Sequence, residues 1–204
     1  MTDKTTPVVE TPIVLSPARI DADALGDVAL KVSEAHGEVT IDLAAERIVD
    51  ACQAAQNAGY DFLVDLAATD YLGFAGEGVG GYWSSPTGTG TRDLNAQGAA
   101  LGVVPERPGD KRFAISYQLL NRSARPARRL RLRLWVDEGE TVPSIVTVFP
   151  VADYPEREAF DLMGVTFTGH PNLERIFLPD GWDGHPHRKD YPIGGEPVQF
   201  SEEV

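Results

Sequence analysis

Leucine and arginine alternate with a period of two along one segment of the chain, residues 128–136. Every second position is leucine, and arginine fills the positions between: Leu130, Leu132 and Leu134 against Arg129, Arg131 and Arg133. Because successive side chains of a strand point to opposite faces, this pattern predicts a strand with one apolar and one cationic face. Residues 112–120 precede it, and the two segments are expected to form a β-hairpin.

Two more strands are predicted before this hairpin. Residues 38–41 form a short apolar run that is typical of a strand. Residues 60–72 are expected to form a longer one, with Phe62, Val64 and Leu66 on one face.

Helical spacing of apolar residues marks three segments of the chain. Residues 43–58 are expected to form a helix that Asp42 caps, that ends before Gly59, and that packs on the leucine face of the hairpin. Its apolar positions are Ala45, Ile48, Val49, Cys52 and Ala55. Residues 22–35 are expected to form an earlier helix, on the evidence of Leu25, Ala29 and Val32, with Gly37 after it.

The third helix is predicted to start at Asp153 or Tyr154 and to end at Gly164. Pro155 suits its first turn, because the missing N–H of proline needs no partner there. A short helical turn is expected just before it, in residues 143–150.

The order of these elements predicts one α+β domain, residues 18–164, in which helices pack a small mixed or antiparallel sheet. Residues 1–17 are expected to form a flexible tail. Residues 73–110 hold 10 of the 20 glycines and are expected to form a long loop. Regular proline spacing predicts an extended, Pro/Gly-rich C-terminal arm over residues 165–204. The prolines are Pro171, Pro179, Pro186, Pro192 and Pro197.

Charge along the 204 residues is uneven, although the net charge is -13. Residues 111–136 carry 8 basic residues and no acidic one, while the segments on both sides are acidic. The acidic total argues against general binding to nucleic acid or to anionic membranes. No apolar run is long enough to span a bilayer, and the first residues suit neither a secretory signal nor a transit peptide.

Candidate catalytic and metal-binding groups have simpler structural interpretations. Glu156, Glu158 and Asp161 would suit acid–base chemistry or a metal, but Arg157 and Asp161 stand at i and i+4 and favour an ion pair. Glu156 and Glu158 lie in the first helical turn, where the helix dipole favours negative charge.

Three histidines, His170, His185 and His187, invite comparison with a zinc site. Their spacing is poor for tetrahedral ligation, so we expect each His-Pro unit to fix a turn, with the imidazole hydrogen-bonded to backbone. The one cysteine, Cys52, lies on the apolar face of its helix and is expected in the core. One thiolate cannot hold an iron–sulfur cluster, and no glycine pattern typical of nicotinamide or flavin binding follows a strand.

The arginine face of the hairpin leaves two interpretations open. It would suit RNA or DNA, but no aromatic residues alternate with its arginines. Solvation or an acidic protein partner is favoured.

One continuous stretch, residues 156–191, carries several short motifs in fixed order. They are Glu156-Arg157-Glu158, Phe160-Asp161, Gly169-His170-Pro171, Gly184-His185-Pro186 and Arg188-Lys189-Asp190-Tyr191. This stretch resembles the signature region of the thirty-kilodalton subunit of NADH-quinone oxidoreductase, which is respiratory complex I. The likeness continues more weakly through residues 142–145 and 60–72.

The resemblance implies a cofactor-free structural and assembly subunit in the hydrophilic arm of a proton-translocating complex. FMN and iron–sulfur clusters of partner subunits would carry electrons from NADH to quinone. The chief partner implied is the forty-nine-kilodalton neighbour, which forms much of the quinone site. The implied location is peripheral, on the cytoplasmic face of a bacterial membrane.

The same resemblance implies no catalytic, cofactor-binding or metal-binding residue in this chain. It implies instead a partner interface along the signature stretch and the C-terminal arm. The expected interface residues are Glu156, Arg157, Glu158, Asp161, His170, Arg175, Phe177, Trp182, His185, Arg188, Lys189, Asp190 and Tyr191. Trp182 and Phe177 are expected to anchor the arm, since aromatic side chains commonly dominate interface energetics.

Three positions depart from the family pattern. Glu174 stands where a basic residue is usual, Tyr154 where tryptophan is usual, and His187 where leucine is usual. Two other functions remain as alternatives: a stand-alone metal-dependent hydrolase built on the acidic helix and the histidines, and a nucleic-acid-binding module built on the arginine strand.

Overall fold

The computed structural model describes residues 28–35, 38–72 and 111–191, and these ranges contain seven strands and two α-helices. The strands are β1 (Ala29–Ala35), β2 (Glu38–Leu43), β3 (Phe62–Asp70), β4 (Phe113–Asn121), β5 (Arg128–Val136), β6 (Thr141–Pro143) and β7 (Thr166–Thr168). The helices are α1 (Ile48–Asn57) and α2 (Asp153–Met163), and 3-10 turns at Ala45–Arg47 and Pro150–Ala152 precede them. Neither helix is long and apolar enough to cross a membrane.

Five strands form one mixed sheet in the order β1-β2-β5-β4-β3. Strands β2 and β5 are parallel, and the other neighbours are antiparallel. Strands β6 and β7 pair separately and in parallel. The predicted α+β class with a small mixed sheet is therefore confirmed.

The hairpin of β4 and β5 lies in the middle of the sheet, as its alternation predicts. One row of side chains, all buried, crosses four strands: Leu66, Tyr117, Leu132 and Ile41. Leu130 and Leu134 are buried on the same face, in one cluster with the inward residues of α1. The period of two thus identifies the core face of β5 correctly.

The cationic face of β5 is matched by acids of the parallel strand β2. Arg133 donates to both carboxylate oxygens of Asp42, at 2.6 and 2.9 Å, and the Trp135 indole donates to Asp42 at 3.1 Å. Arg131 and Arg129 both donate to Glu38. The expectation that Asp42 caps a helix is wrong, because the parallel register places Asp42 opposite Arg133.

Helix α1 confirms the prediction for residues 43–58, though it starts later. Ala45–Arg47 forms a 3-10 turn first, and the α-helix then buries Ile48, Ala51, Cys52 and Ala55. Gly59 follows the helix with φ +94°, and a Cβ there would lie 2.8 Å from the Asn121 side-chain amide.

The helix predicted for residues 22–35 is wrong where the structure describes it. Residues 29–35 form strand β1, which pairs antiparallel with β2. A spacing that fits one helical turn is a weak signal, and pairing with the neighbouring strand satisfies the same backbone groups. Residues 22–27 lie outside the described ranges.

Strand β3 is confirmed as an element, but two of its predicted core positions are wrong. Phe62 and Val64 are exposed, whereas Leu63 and Leu66 are buried. The register with β4 shifts between Leu63 and Asp65, which leaves Val64 as the extra residue of a β-bulge. One inserted residue exchanges the two faces of a strand.

Helix α2 runs from Asp153 to Met163 with Pro155 in its first turn and Gly164 after it in the left-handed conformation, as predicted. The helical turn expected in residues 143–150 is present after β6, where the Phe149 N–H donates to the Ile145 carbonyl. Strand β7 pairs with β6, so the domain extends past residue 165, where the arm was expected to begin. The tail 1–17 and the loop 73–110 lie outside the described ranges.

Candidate functional site

The segment after β7, residues 169–191, lies against helix α2 and the near end of the sheet. Its backbone consists of turns and bends, without helix or strand. Side chains of α2, β3 and β4 bind it at four places, namely at Asp161, at the two His-Pro units, at the end of α2 and at Asp70.

Asp161 is the centre of the first attachment. Its carboxylate is fully buried and accepts the backbone N–H groups of Ile176, Phe177 and Leu178 at 2.8–3.0 Å. Arg175 adds a fourth donor at 3.1 Å. Burial raises the pKa of Asp161, but the three amides and the Arg175 charge outweigh it and lower the pKa below its ordinary value. Asp161 is therefore a charged carboxylate that fixes the course of residues 175–178.

The ion pair expected between Arg157 and Asp161 is wrong. Arg157 donates to the Glu174 carbonyl at 3.0 Å, and its guanidinium lies 5.6 Å from the centre of the Tyr154 ring. Arg175 takes the expected place, because it lies on the segment that crosses the helix at Asp161.

Glu156 is buried inside the domain and does not lie at a surface, where the helix dipole alone would have accounted for its charge. Its Oε1 accepts the Ile145 N–H at 2.8 Å, and its Oε2 lies 3.9 Å from His170 Nε2. Burial raises the pKa of Glu156, and the bonds from Ser144 and Ile145 and the His170 charge offset part of that shift. Glu156 thus ties helix α2 to the turn after β6.

Replacing Glu156 by glutamine is expected to keep the fold and to change how stability depends on pH. A raised folded-state pKa means that ionisation disfavours the wild-type fold, and this loss grows as pH rises above about 4.3, the ordinary glutamate value. We therefore expect E156Q to gain stability relative to wild type between pH 4 and pH 8 in urea titrations. E158Q, at an exposed position, is the control and should follow wild type; a gap that narrows with rising pH would contradict the account.

Two of the three histidines fix turns through backbone contacts, as predicted. His185 Nδ1 lies 2.8 Å from the Asp161 carbonyl oxygen. His170 Nε2 lies 3.3 Å from the Asp153 carbonyl oxygen, and its Nδ1 accepts the Asn172 N–H at 3.0 Å. The His187 side chain is exposed, and its backbone N–H donates to the Leu162 carbonyl. Within the described ranges, no three His, Cys, Asp or Glu side chains are grouped to hold a metal ion.

The end of helix α2 carries the third attachment. Arg188 Nε donates to the Met163 carbonyl at 2.7 Å, and its Nη1 binds Glu138 in the turn after β5. A cation at a helix C-terminus also interacts favourably with the helix dipole. Gly164 leaves room for this, since a Cβ there would collide with Arg188 and His185.

Asp70 and Arg112 form the fourth attachment, and sequence reasoning missed both. Arg112 bridges Asp70 at 2.7 Å and Asp190 at 2.8 Å, and the Lys189 N–H donates to Asp70 at 2.9 Å. Burial raises the pKa of Asp70, but the bonds from Arg112, Lys189 and Leu72 lower it below its ordinary value. No local pattern marks this pair, because its members lie 42 residues apart in the chain.

The expected interface residues therefore divide into three groups. Glu156 and Asp161 are buried, and both carboxylates bind groups of this chain, so neither lies at a surface for a partner. Glu158, Phe177, Lys189 and Asp190 are exposed. The others are partly buried: Arg157, His170, Arg175, Trp182, His185, Arg188 and Tyr191.

Cys52 is a core residue, as predicted. It is fully buried on α1, and burial, with a smaller effect of the Glu156 charge, raises the pKa of its thiol to about 12. A thiol in this state is a poor nucleophile and a poor metal ligand at neutral pH.

We expect Cys52 to resist iodoacetamide in the folded protein. The reason is that both access and the thiolate fraction are low, so labelling should follow global unfolding. Mass spectrometry after a timed pulse should show unmodified native protein and full labelling in urea. Rapid labelling of the native state would show that α1 opens locally.

Comparisons with known proteins were made for the whole chain. The family model described as Respiratory-chain NADH dehydrogenase, 30 Kd subunit, matches residues 41–197. An NADH-quinone oxidoreductase subunit of Roseiflexus castenholzii is 35% identical over 95% of this chain and 90% of its own length. The subunit of the same name from Hydrogenovibrio crunogenus is 37% identical over 85% of this chain and 77% of its own length.

Other relatives are longer than the matched region. The NADH-quinone oxidoreductase subunit of the same name from Salinispora tropica is 35% identical over 87% of this chain, but the match spans only 59% of that protein. Among solved structures, a trypsin-resistant fragment of Nqo5 has a TM-score of 0.53 at 22% identity, covering 78% of this chain and 100% of the fragment. A chain of an archaeal membrane-bound sulfane sulfur reductase has a TM-score of 0.59 at 16% identity, covering 86% of this chain and 85% of its own. These two likenesses show a shared fold.

Proposed function

Since the chain belongs to the family of the 30 Kd subunit of respiratory-chain NADH dehydrogenase, we propose that it is a structural and assembly subunit of an NADH-quinone oxidoreductase. Its contribution to the reaction is a fixed docking surface in the hydrophilic arm of that complex. Electrons pass from NADH through FMN and iron–sulfur clusters of other subunits to quinone.

The observation that supports this role most strongly is the use of the charged residues in the signature stretch. Asp161 and Arg188 are bonded to backbone groups of residues 163–178, and Asp190 is bonded to Arg112. Side chains with a catalytic task need to reach a reacting atom, whereas these hold a segment of their own chain in place. Such pre-organisation lowers the entropy cost of association with a partner.

The proposal places the cofactors in partner subunits. The single cysteine of the sequence, Cys52, cannot supply the four thiolates that an iron–sulfur cluster commonly requires. Its burial and raised pKa further argue against a role as a lone ligand.

The partners proposed are the other subunits of the complex, chiefly the forty-nine-kilodalton neighbour at the quinone site. The location proposed is peripheral, on the cytoplasmic face of a bacterial membrane. Neither alternative function gains support: the acids of α2 bind their own chain, and the arginine strand faces Glu38 and Asp42 on β2.

Deletion of the gene in the producing organism tests this role. The expected result is loss of NADH-quinone reductase activity in isolated membranes, with activity restored by the wild-type chain. An isosteric variant at an exposed position, such as E158Q, serves as a matched control and should restore activity equally. Full activity in membranes of the deletion strain would contradict the proposal.

A further inference from the structure

Three large apolar side chains are exposed along the outer side of helix α2 and the segment that crosses it. They are Val151 at 58%, Tyr154 at 66% and Phe177 at 62%. Val151 lies in the turn that enters α2, Tyr154 in its first turn, and Phe177 is bonded to Asp161 about 10 Å further along the axis, at 1.5 Å per residue. Together with Arg157 these residues are called the outer ridge.

The outer ridge is held in position by bonds beneath it. Arg157 lies against the Tyr154 ring and is itself tied to the Glu174 carbonyl. The Phe177 backbone N–H donates to the buried Asp161 carboxylate at 2.8 Å, between two further amides bonded to the same oxygen. An exposed aromatic side chain on a fixed backbone loses little freedom when a partner covers it.

Charge around the outer ridge is acidic. Glu158 stands one helical turn after Tyr154, Glu174 supplies the carbonyl bound by Arg157, and Asp180 follows Phe177 by three residues; all three are exposed. An apolar centre with aromatic residues and an arginine, surrounded by a polar rim, has the composition of an interface core.

We propose that the outer ridge docks another protein subunit of the same complex, one that offers an apolar pocket flanked by lysine or arginine. This inference rests on the proposed function and adds the surface and the chemistry of the partner. The acidic rim of this chain requires the basic flanks, because like charges across an interface oppose association.

Other occupants match the rim poorly. A second copy would bring the same acids to a two-fold contact. An anionic membrane surface would repel them. The remaining parts of this chain are also net acidic: residues 1–27 carry five acids and two bases, residues 73–110 four acids and two bases, and residues 192–204 three acids and no base.

The test replaces Tyr154 and Phe177 by aspartate in the tagged chain within its native cells. Leu30→Asp is the matched control, because Leu30 is 68% exposed but lies on β1, at the opposite edge of the sheet from β3. The fraction of the chain recovered in the purified complex is measured, together with the melting temperature of each isolated chain. A set with Tyr154→Phe and Phe177→Leu keeps the apolar surface and serves as a rescue.

The expected result is that the double aspartate variant is recovered at least about tenfold less in the complex, with an unchanged melting temperature. Leu30→Asp and the rescue variants should assemble as wild type does. Normal assembly of the aspartate variant would overturn the proposal while leaving the proposed function intact, whereas failure of wild type to co-purify would overturn the function itself.

Each alternative occupant gives its own contrary result. A lower melting temperature of the isolated aspartate variant would show that another part of this chain covers the ridge. Dimers of isolated wild type that the variant loses would identify a second copy. Binding of wild type to anionic vesicles, lost in the variant, would identify a membrane surface.

Discussion

Replacing Asp161 by alanine is expected to detach residues 175–178 from helix α2 and to lower the free energy of unfolding by about 3–5 kcal/mol. Hydrogen bonds to a charged group contribute about 1.5–3 kcal/mol each, with incomplete additivity, and Asp161 accepts three from backbone N–H groups. Hydrogen exchange should report the change at Ile176, Phe177 and Leu178 first.

The pH dependence of the Asp161→Ala effect has a defined sign. A lowered folded-state pKa contributes stability that is present above the ordinary aspartate value of about 3.9 and is lost as pH falls through the folded value. The gap between wild type and D161A should therefore be widest near neutral pH and close in acid. D180N, at an exposed aspartate, is the control; equal stability of D161A and wild type at pH 7 would contradict this role.

Replacing Leu132 by aspartate is expected to unfold the domain. Leu132 is fully buried on the central strand β5, between Tyr117 on β4 and Ile41 on β2. An unpaired buried charge costs about 4 kcal/mol or more, and whole domains are stable by only about 5–15 kcal/mol. Circular dichroism should show loss of the cooperative thermal transition.

The matched control is the neighbouring residue on the opposite face. Arg131 is partly exposed and donates to Glu38 at 3.2 Å, so Arg131→Gln should cost less than about 1 kcal/mol. Equal damage from L132D and R131Q in thermal denaturation would contradict the assignment of the two faces.

Local patterns in the sequence predict the parts of the fold that local forces determine. The leucine face of β5 follows from a period of two, and α2 follows from Pro155 in its first turn and Gly164 after its last. In both cases the residues that carry the signal are also those that the structure uses.

Pairing between distant segments could not be predicted in this way. Residues 29–35 resemble one turn of an amphipathic helix, but β2 offers them a strand partner. A single bulge at Val64 exchanges the faces of β3, and nothing in the local sequence fixes where such a bulge falls.

The candidate site shows the same limit. The resemblance to a known family identifies residues 156–191 as the stretch of interest, and it predicts a partner interface there. It does not predict that Asp161 binds the amides of residues 176–178, or that Arg112 joins Asp70 to Asp190. These contacts link segments that lie 14 to 119 residues apart, so only the folded chain brings them together.

Purification of the tagged chain from native membranes in mild detergent tests the central claim most directly. The account predicts that the chain co-purifies in fixed stoichiometry with the other subunits of an NADH-quinone oxidoreductase, and that the preparation contains FMN and iron–sulfur clusters and reduces quinone with NADH. The isolated chain, expressed alone, should contain no stoichiometric metal or chromophore. Recovery of the chain without these subunits, or with a tightly bound metal of its own, would contradict the account.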